Sequence, residues 1–216
     1  MEEKGRFRAK SEQKIVDLLD ICVVIPVQDN EKYLSEILQG IENQSLSPRE
    51  IVIVDSSSNN RITNLINEWN GRIPIKYIKI DSAYPGAARN IGVEIVKSEW
   101  IAFLDSTTVP KHNWLERCVE MAIEKKADFV GGLTLFEADT YFKKLLRATT
   151  YGCGPCGTLP GSIMKKEIFG KSGGFIPSIR SSEDVEWIER IKSMGYKTDT
   201  VKDFVSIYYG LPGNLW

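Results

Sequence analysis

Apolar residues along this chain arrive in two kinds of run, and the two alternate. Ile21-Cys22-Val23-Val24-Ile25-Pro26-Val27 and Ile51-Val52-Ile53-Val54-Asp55 are continuous apolar stretches of strand length, the pattern of strands covered on both faces. Between them, residues 31–43 set Tyr33, Leu34, Ile37, Leu38 and Ile41 at helical spacing. The alternation continues with a polar turn over 56–60, a helix over 62–69, a strand over 75–80 and a helix over 85–96 with Pro85 in its first turn. A strand over 100–105, a helix over 114–125 and a strand over 129–134 follow. Strands separated by helices of this length predict right-handed βαβ units and a mostly parallel sheet, so the fold class is α/β.

After Thr134 the rhythm changes. Residues 141–149 read as an amphipathic helix with Lys143, Lys144 and Arg147 on its polar side. Residues 151–161 hold four glycines, two prolines and two cysteines, and read as loop. A short strand over 162–164, a helix over 184–194 and strands near Thr198 and Val205 complete the chain, with no internal repeat.

Composition changes this picture little. A chain of 216 residues is long enough for a full core, and 42% hydrophobic with 26% charged residues is ordinary for a globular domain. A net charge of −1 gives no basis for nucleic acid as a partner. No run approaches the ~18 apolar residues of a membrane helix, and the polar start is no signal peptide. Four cysteines do not make a disulfide scaffold, which sets a reducing cytosol as the expected compartment. Residues 1–14 are dense in Glu, Lys and Arg and read as a solvated stretch, with a basic helix touching acidic lipid as the sharper alternative. The chain stops at Leu215-Trp216, directly after a Gly-Leu-Pro-Gly turn, and more protein is expected to follow.

Candidate chemistry gathers at strand ends. In an open parallel sheet ligands bind just beyond the carboxyl ends of the strands. Two strands end there on a carboxylate, at Asp55 and at Asp105, and the loop Pro26-Val27-Gln28-Asp29-Asn30 belongs to the same edge. Each Asp can simply cap its turn. Alternatively, a carboxylate there accepts ring N–H bonds from a base, or holds a cation that bridges phosphates. In Pro85-Gly86-Ala87-Ala88-Arg89-Asn90-Ile91-Gly92 the small residues allow close backbone approach, and Arg89 sits in the first helical turn, where the dipole disfavours a cation. Its use is either to reach a phosphate or carboxylate, or to pair with Asp55 or Asp105. Ser181-Ser182-Glu183-Asp184 is good N-capping chemistry, and a carboxylate at a helix start facing a crevice can also act as a general base.

Cys153-Gly154-Pro155-Cys156 is the tetrad of thioredoxins, but redox chemistry needs it at a helix N-terminus, and Gly157-Thr158-Leu159-Pro160-Gly161 cannot start a long helix. A zinc site lacks a partner pair or nearby His. The cysteines are read as packing residues or a labile disulfide in a flexible loop.

Taken in order, Val24-Ile25-Pro26-Val27 with its acidic loop, Ile51-Val52-Ile53-Val54-Asp55-Ser56-Ser57-Ser58, Gly86-Ala87-Ala88-Arg89-Asn90-Ile91-Gly92, Trp100-Ile101-Ala102-Phe103-Leu104-Asp105-Ser106, Gly173-Gly174-Phe175 and Glu183-Asp184-Val185-Glu186-Trp187 resemble the inverting family 2 glycosyltransferases of GT-A fold, over nearly the whole chain. The resemblance implies a polar extension over 1–19 and a GT-A (Rossmann-like) domain over 20–216, nucleotide-binding to about 110 and acceptor-facing beyond. It implies a nucleotide-diphosphate donor, with a UDP-sugar favoured, and the hydroxyl of a glycan or lipid-linked glycan as acceptor. It implies that Pro26, Val27, Asp29 and Asp55 hold the nucleotide, Asp55 reading the base, with Arg89 by the base or diphosphate and Asp105 and Ser106 at the donor. Asp105 belongs to the family's Asp-x-Asp motif for a divalent cation, Mn or Mg. Asp184, with Glu183 beside it, is implied as the base that deprotonates the acceptor for in-line attack.

Two departures matter. The second Asp of the metal motif is Thr107, a poorer ligand, and Ile207-Tyr208-Tyr209 stands where many relatives place a histidine; the chain's single His is His112. Open readings are a cation held by Asp105 and phosphates alone, metal-independent catalysis, or a catalytically weak nucleotide-sugar-binding scaffold. The basic helix around Lys143 to Arg147 makes peripheral association with the cytoplasmic face of a membrane conceivable.

Overall fold

The computed structural model describes residues 20–214. The polar stretch 1–14, the rest of the extension to residue 19, and the terminal Leu215-Trp216 lie outside the described residues. The apolar runs form the expected strands: β1 (Ile21–Val27), β2 (Glu50–Asp55), β3 (Ile75–Lys79) and β4 (Trp100–Phe103). They lie side by side in the order β3-β2-β1-β4, all parallel. Every residue of β1, β2 and β4 is buried because helices cover both faces. Alternate residues feed two cores: Val23, Ile25, Ile51 and Ile53 face one layer, Cys22, Val24, Val52 and Val54 the other. The first layer holds α1 (Leu34–Glu42), α2 (Arg61–Glu68) and α4 (Trp114–Lys125). The second holds α3 (Pro85–Ile95), α6 (Lys166–Ser172) and α7 (Glu183–Ser193).

The sheet then turns antiparallel. β4 pairs with β7 (Cys156–Lys165), and β7 with β6 (Phe129–Phe136), both antiparallel. β8 (Thr198–Thr200) and β9 (Ser206–Tyr208) run parallel to β6, and β5 (Thr108–Pro110) closes the edge antiparallel to β9. Five of the eight pairings are parallel, so the sheet is mostly parallel with a mixed second half.

Three elements differ from the sequence expectation. Residues 156–161, expected as loop, belong to the ten-residue β7, which extends well beyond the short strand over 162–164. The ladder with β6 shifts between Val130 and Gly132, and Pro160 and Gly161 fall in that irregularity, where no ladder hydrogen bond is lost. There the backbones of Gly132 and Gly161 nearly touch: a Cβ on Gly132 would lie 2.5 Å from the Gly161 carbonyl. That carbonyl accepts the indole N–H of the fully buried Trp114 at 2.7 Å. Second, residues 108–110 form a strand where Pro110 reads as a stop; an edge strand tolerates the missing N–H. Third, α6 was not anticipated. The helix α5 (Tyr141–Thr150) appears as expected, but Lys143 pairs with Asp139, and Arg147 donates to the Phe136 carbonyl, so two of its three cations are engaged. Among the described residues no helix is long and apolar enough to cross a membrane.

Candidate functional site

From β1 the chain moves outward through β2 to β3, then returns to the other side of β1 as β4. The carboxyl ends of β1 and β4 therefore flank the topological switch point, where open α/β sheets bind ligands. A cavity of about 160 Å³ lies there, lined by Pro26, Val27, Asp105, Ser106, Thr107 and Tyr208. It is flanked by two wider hollows, one of about 680 Å³ beside Ser57, Lys79 and Asp81, and one of about 790 Å³ beside Tyr84, Pro177 and Arg180. Gln28 lines all three, so the crevice is continuous.

On one side, the loops after β1 and β2 are tied together. Asp29 takes a left-handed conformation (φ 47°), and its carboxylate accepts from the Ser58 N–H and the Asn59 side chain, while its own N–H donates to Ser57 Oγ. Asp55 at the end of β2 is fully buried. Its Oδ1 accepts from the Ser57 N–H at 2.8 Å, and its Oδ2 from Tyr77 at 2.6 Å and Lys79 Nζ at 3.0 Å. Burial by itself would raise the Asp55 carboxyl, but the bonds from Ser57, Tyr77 and Lys79 outweigh it and hold the group below the usual carboxylate value. Burial and the neighbouring Asp55 push the Tyr77 hydroxyl up to about 12. Within this network Lys79 is the member that reaches the surface, with 35% of its side chain exposed.

On the other side sits a knot of charge. Arg89, in the first turns of α3, is 3% exposed. Its Nη2 donates to Asp105 Oδ1 and its Nη1 to Glu183 Oε1, both at 2.6 Å. Burial would lower its pKa, but Asp105, Glu183 and Asp184 together raise it, so the guanidinium stays charged. Its Nε is buried without a partner, and the cation lies 5.8 Å from the Phe175 ring centre. Asn90 clamps the Phe175 backbone from both sides, donating to its carbonyl at 2.8 Å and accepting its N–H at 2.9 Å. Two stretches far apart in sequence, the Arg89-Asn90 turn and Gly174-Phe175, thus form one joint. Gly86 makes it possible: a Cβ there would lie 2.9 Å from Glu183 Cγ.

The sequence expectation of pairing between Arg89 and a strand-end aspartate is met at Asp105, and Asp55 finds Lys79 instead. Capping of α7 by Ser181 or Ser182 is not found: Ser182 is left-handed (φ 69°) and makes no side-chain cap bond. The Asp184 carboxylate accepts the Val185 N–H at 2.9 Å and remains half-buried, whereas Glu183 is 4% exposed. His112 donates from Nδ1 to the Asn43 carbonyl and lies outside the crevice lining. Cys153 and Cys156 are both free thiols; Cys156 opens a strand, not a helix, and burial pushes its thiol up, against a redox role.

No group of three His, Cys, Asp or Glu side chains suited to a metal occurs among the described residues. The crevice offers the Asp105 carboxylate, one oxygen of which is taken by Arg89, and the Thr107 hydroxyl. That donor set suits an ion of the magnesium type, which keeps several waters and takes one or two carboxylates plus substrate phosphates.

The model of the family described as glycosyl transferase family 2 matches residues 22–184. The chain belongs to glycosyl transferase family 2. Its similarity to the Haloferax volcanii glycosyltransferase AglE is 26% identity over 208 residues, 89% of this chain and 67% of that protein. The Escherichia coli chondroitin synthase is 26% identical over 84% of this chain and 25% of its own length. Staphylococcus aureus TarS 1–349, solved in complex with UDP-GlcNAc, superposes with a TM-score of 0.68 at 19% identity, over 91% of this chain and 60% of that one. The fold is thus the GT-A fold of this enzyme family. The chain spans a quarter of the chondroitin synthase and 60% of the TarS fragment.

Three residues of this family 2 domain line the crevice without having been singled out from sequence: Ala83, Tyr84 and Arg180. Lys79 had a local signal, since β3 ends beside β2 and its last residue pairs with Asp55. Tyr208 was marked by the resemblance, as part of the segment where relatives place a histidine, and the pairing of β9 with β5 and β6 brings it to the crevice beside Asp105.

Proposed function

We propose that this chain transfers a sugar from a UDP-sugar to a hydroxyl of a glycan or lipid-linked glycan with inversion at the anomeric carbon. The observation that carries the reading is the cluster beyond β1 and β4, where Arg89 joins the donor-side Asp105 to the helix start bearing Glu183 and Asp184. Support for the donor comes from the shared fold with TarS in its UDP-GlcNAc and UDP complexes. Support for a cell-envelope type of acceptor comes from the Staphylococcus aureus TarP relative, a poly(ribitol-phosphate) β-N-acetylglucosaminyltransferase 27% identical over 116 residues.

In this reading the nucleotide lies along the Pro26, Val27 and Asp29 loop. Asp55 fixes the Ser57 backbone and Lys79, whose ammonium has one N–H left to donate to the base. The diphosphate rests beside Asp105 and Ser106; a divalent cation there would be held by Asp105 and would supply positive charge to the leaving group. Asp184 takes the acceptor proton as the acceptor oxygen bonds to the anomeric carbon, and the carbon–oxygen bond to the diphosphate breaks. Glu183 is assigned to holding Arg89. A membrane-surface acceptor would meet the face of α5, where Tyr141 and Leu145 are exposed beside Lys144.

The test is calorimetric titration of UDP-, GDP- and dTDP-sugars with and without Mn²⁺, together with Asp184→Asn. The reading expects one UDP-sugar to bind and Asp184→Asn to abolish transfer while donor affinity holds. Thr107 in place of a carboxylate favours the second reading, a nucleotide-sugar-binding scaffold. Binding without transfer or donor hydrolysis selects that reading, and no binding of any donor rejects both.

A further inference from the structure

The cavity beyond β1 and β4 carries the Asp105 carboxylate and, among the described residues, no lysine or arginine in its lining. Arg89 stands outside that lining, with both Nη groups spent on Asp105 and Glu183. Charge that develops on a leaving diphosphate there must be met by neutral donors as well as by any cation. We propose that the Tyr208 phenol is such a donor, its O–H bonding to the phosphate that carries the sugar, which makes Tyr208 a catalytic residue of the transfer. The assignment rests on the nucleotide-sugar reading above.

A short ladder places the phenol. Tyr208 stands opposite Thr108 in the antiparallel pairing of β9 with β5, and the Tyr209 N–H donates to the Thr107 carbonyl at 2.9 Å. The Thr108 N–H donates in turn to the Asp105 carbonyl at 3.0 Å, which ties β9 to the turn that bears Asp105. The phenol consequently lies beside the Asp105 and Thr107 side chains in the cavity wall. Its ring packs against Phe136, which is 5% exposed, with the ring centres 4.8 Å apart. Gly210 leaves the space that the phenol fills, since a Cβ there would collide with the Tyr208 hydroxyl and ring. The other hydroxyls of the lining are less suited: Ser56 donates its O–H to the Val27 carbonyl at 3.2 Å, and aliphatic hydroxyls are weaker donors than a phenol. A tyrosine, with its usual pKa of about 10, keeps its proton at neutral pH. As the bond from the anomeric carbon to the phosphate oxygen breaks, its electron pair stays on the phosphate. The phenol hydrogen bond strengthens as that charge grows, and the proton remains on the tyrosine.

Calorimetric titration of wild type and Tyr208→Phe with UDP and with UMP, at saturating Mn²⁺, tests this. The variant keeps the ring against Phe136, so Tm should hold. UDP affinity should fall roughly tenfold, the worth of a hydrogen bond to a charged group, and UMP affinity should not change. Turnover of the UDP-sugar, read as UDP release, should fall about 10²-fold in kcat, more than KM for the donor rises. Gly210→Ala, which pushes the phenol aside, should show the same UDP-selective loss. Unchanged UDP affinity in Tyr208→Phe, or an equal loss for UMP, overturns the assignment and leaves the donor site in place. Wild-type protein that binds neither nucleotide overturns the nucleotide-sugar reading, and the assignment with it.

Discussion

Exchanging Glu183 for Gln separates a positioning carboxylate from a catalytic one. Glu183 and Arg89 are 4% and 3% exposed, and their ion pair is 2.6 Å long. Removing one partner of such a buried pair outright costs about 3–5 kcal/mol, because the other charge is left without compensation. The amide keeps an acceptor in place, so a charge-assisted bond becomes a neutral one of roughly half the strength. Arg89 also retains Asp105, whose side chain is 30% exposed and partly screened. The loss for Glu183→Gln is therefore about 2 kcal/mol, which in a domain of this size lowers Tm by about 4–8 °C. Asp184→Asn should act in the opposite way. Its side chain is half-buried and bonded only to the start of its own helix, so Tm should move little. Loss of a general base costs roughly 10²–10⁴ in turnover. Thermal unfolding and initial transfer rates, both measured well below Tm, give the two numbers for each variant. A Glu183→Gln protein with unchanged Tm and the larger loss of turnover would refute the assignment and make Glu183 the base.

Other consequences can be measured as directly. Asp55 has its folded pKa depressed below the unfolded value of about 3.9, so its stabilisation is fully present above that value and disappears as pH falls through the folded one. Asp55→Asn should then cost about 3 kcal/mol in denaturant unfolding at pH 7, with the gap to wild type closing below about pH 4; a gap that widens in acid contradicts the network. Thr107→Asp supplies a second carboxylate two residues from Asp105. Calorimetry should show Mn²⁺ affinity in the presence of UDP rising at least about tenfold, and no change would mean that this turn does not face the ion. Gly132→Ala presses a methyl group onto the Gly161 backbone and should lower stability by about 1–3 kcal/mol in chemical denaturation; wild-type stability would show that the crossing can relax.

β1, β2 and β4 were legible because they are buried on both faces, which writes them into the sequence as apolar runs. Asp55 and Asp105 could be found because each follows such a run directly. β7 was hidden for the converse reason: Pro160 and Gly161, which read as loop residues, occupy a ladder irregularity that spares them the hydrogen bonds a strand would demand. β5 was hidden by its length of three residues and by Pro110. The Arg89–Glu183 pair had no local trace. The partners are 94 residues apart and meet because α3 and α7 pack on the same face of the sheet. A hydrogen-bonding role for the serines before α7 was the natural reading of Ser181-Ser182-Glu183-Asp184, yet the left-handed Ser182 turns the chain so that Glu183, not a serine, points into the joint.

The charge balance of that joint bears on the weakened metal motif. Three carboxylates, Asp105, Glu183 and Asp184, act on one guanidinium, which leaves an excess of negative charge where a diphosphate would have to lie. Arg180 lines the adjoining hollow but is exposed, so water and salt screen its contribution. Bringing a further polyanion into this setting is unfavourable unless a cation comes with it. The loss of a second carboxylate at Thr107 weakens the protein's own hold on such an ion without removing the electrostatic need for it. The expected behaviour is therefore ordered and coupled: Mn²⁺ alone should bind weakly, UDP alone should bind weakly, and each should tighten the other by the same factor, as linkage requires. Equal UDP affinity with and without Mn²⁺ would place the diphosphate away from Asp105, against Arg180 and the turn that opens α3.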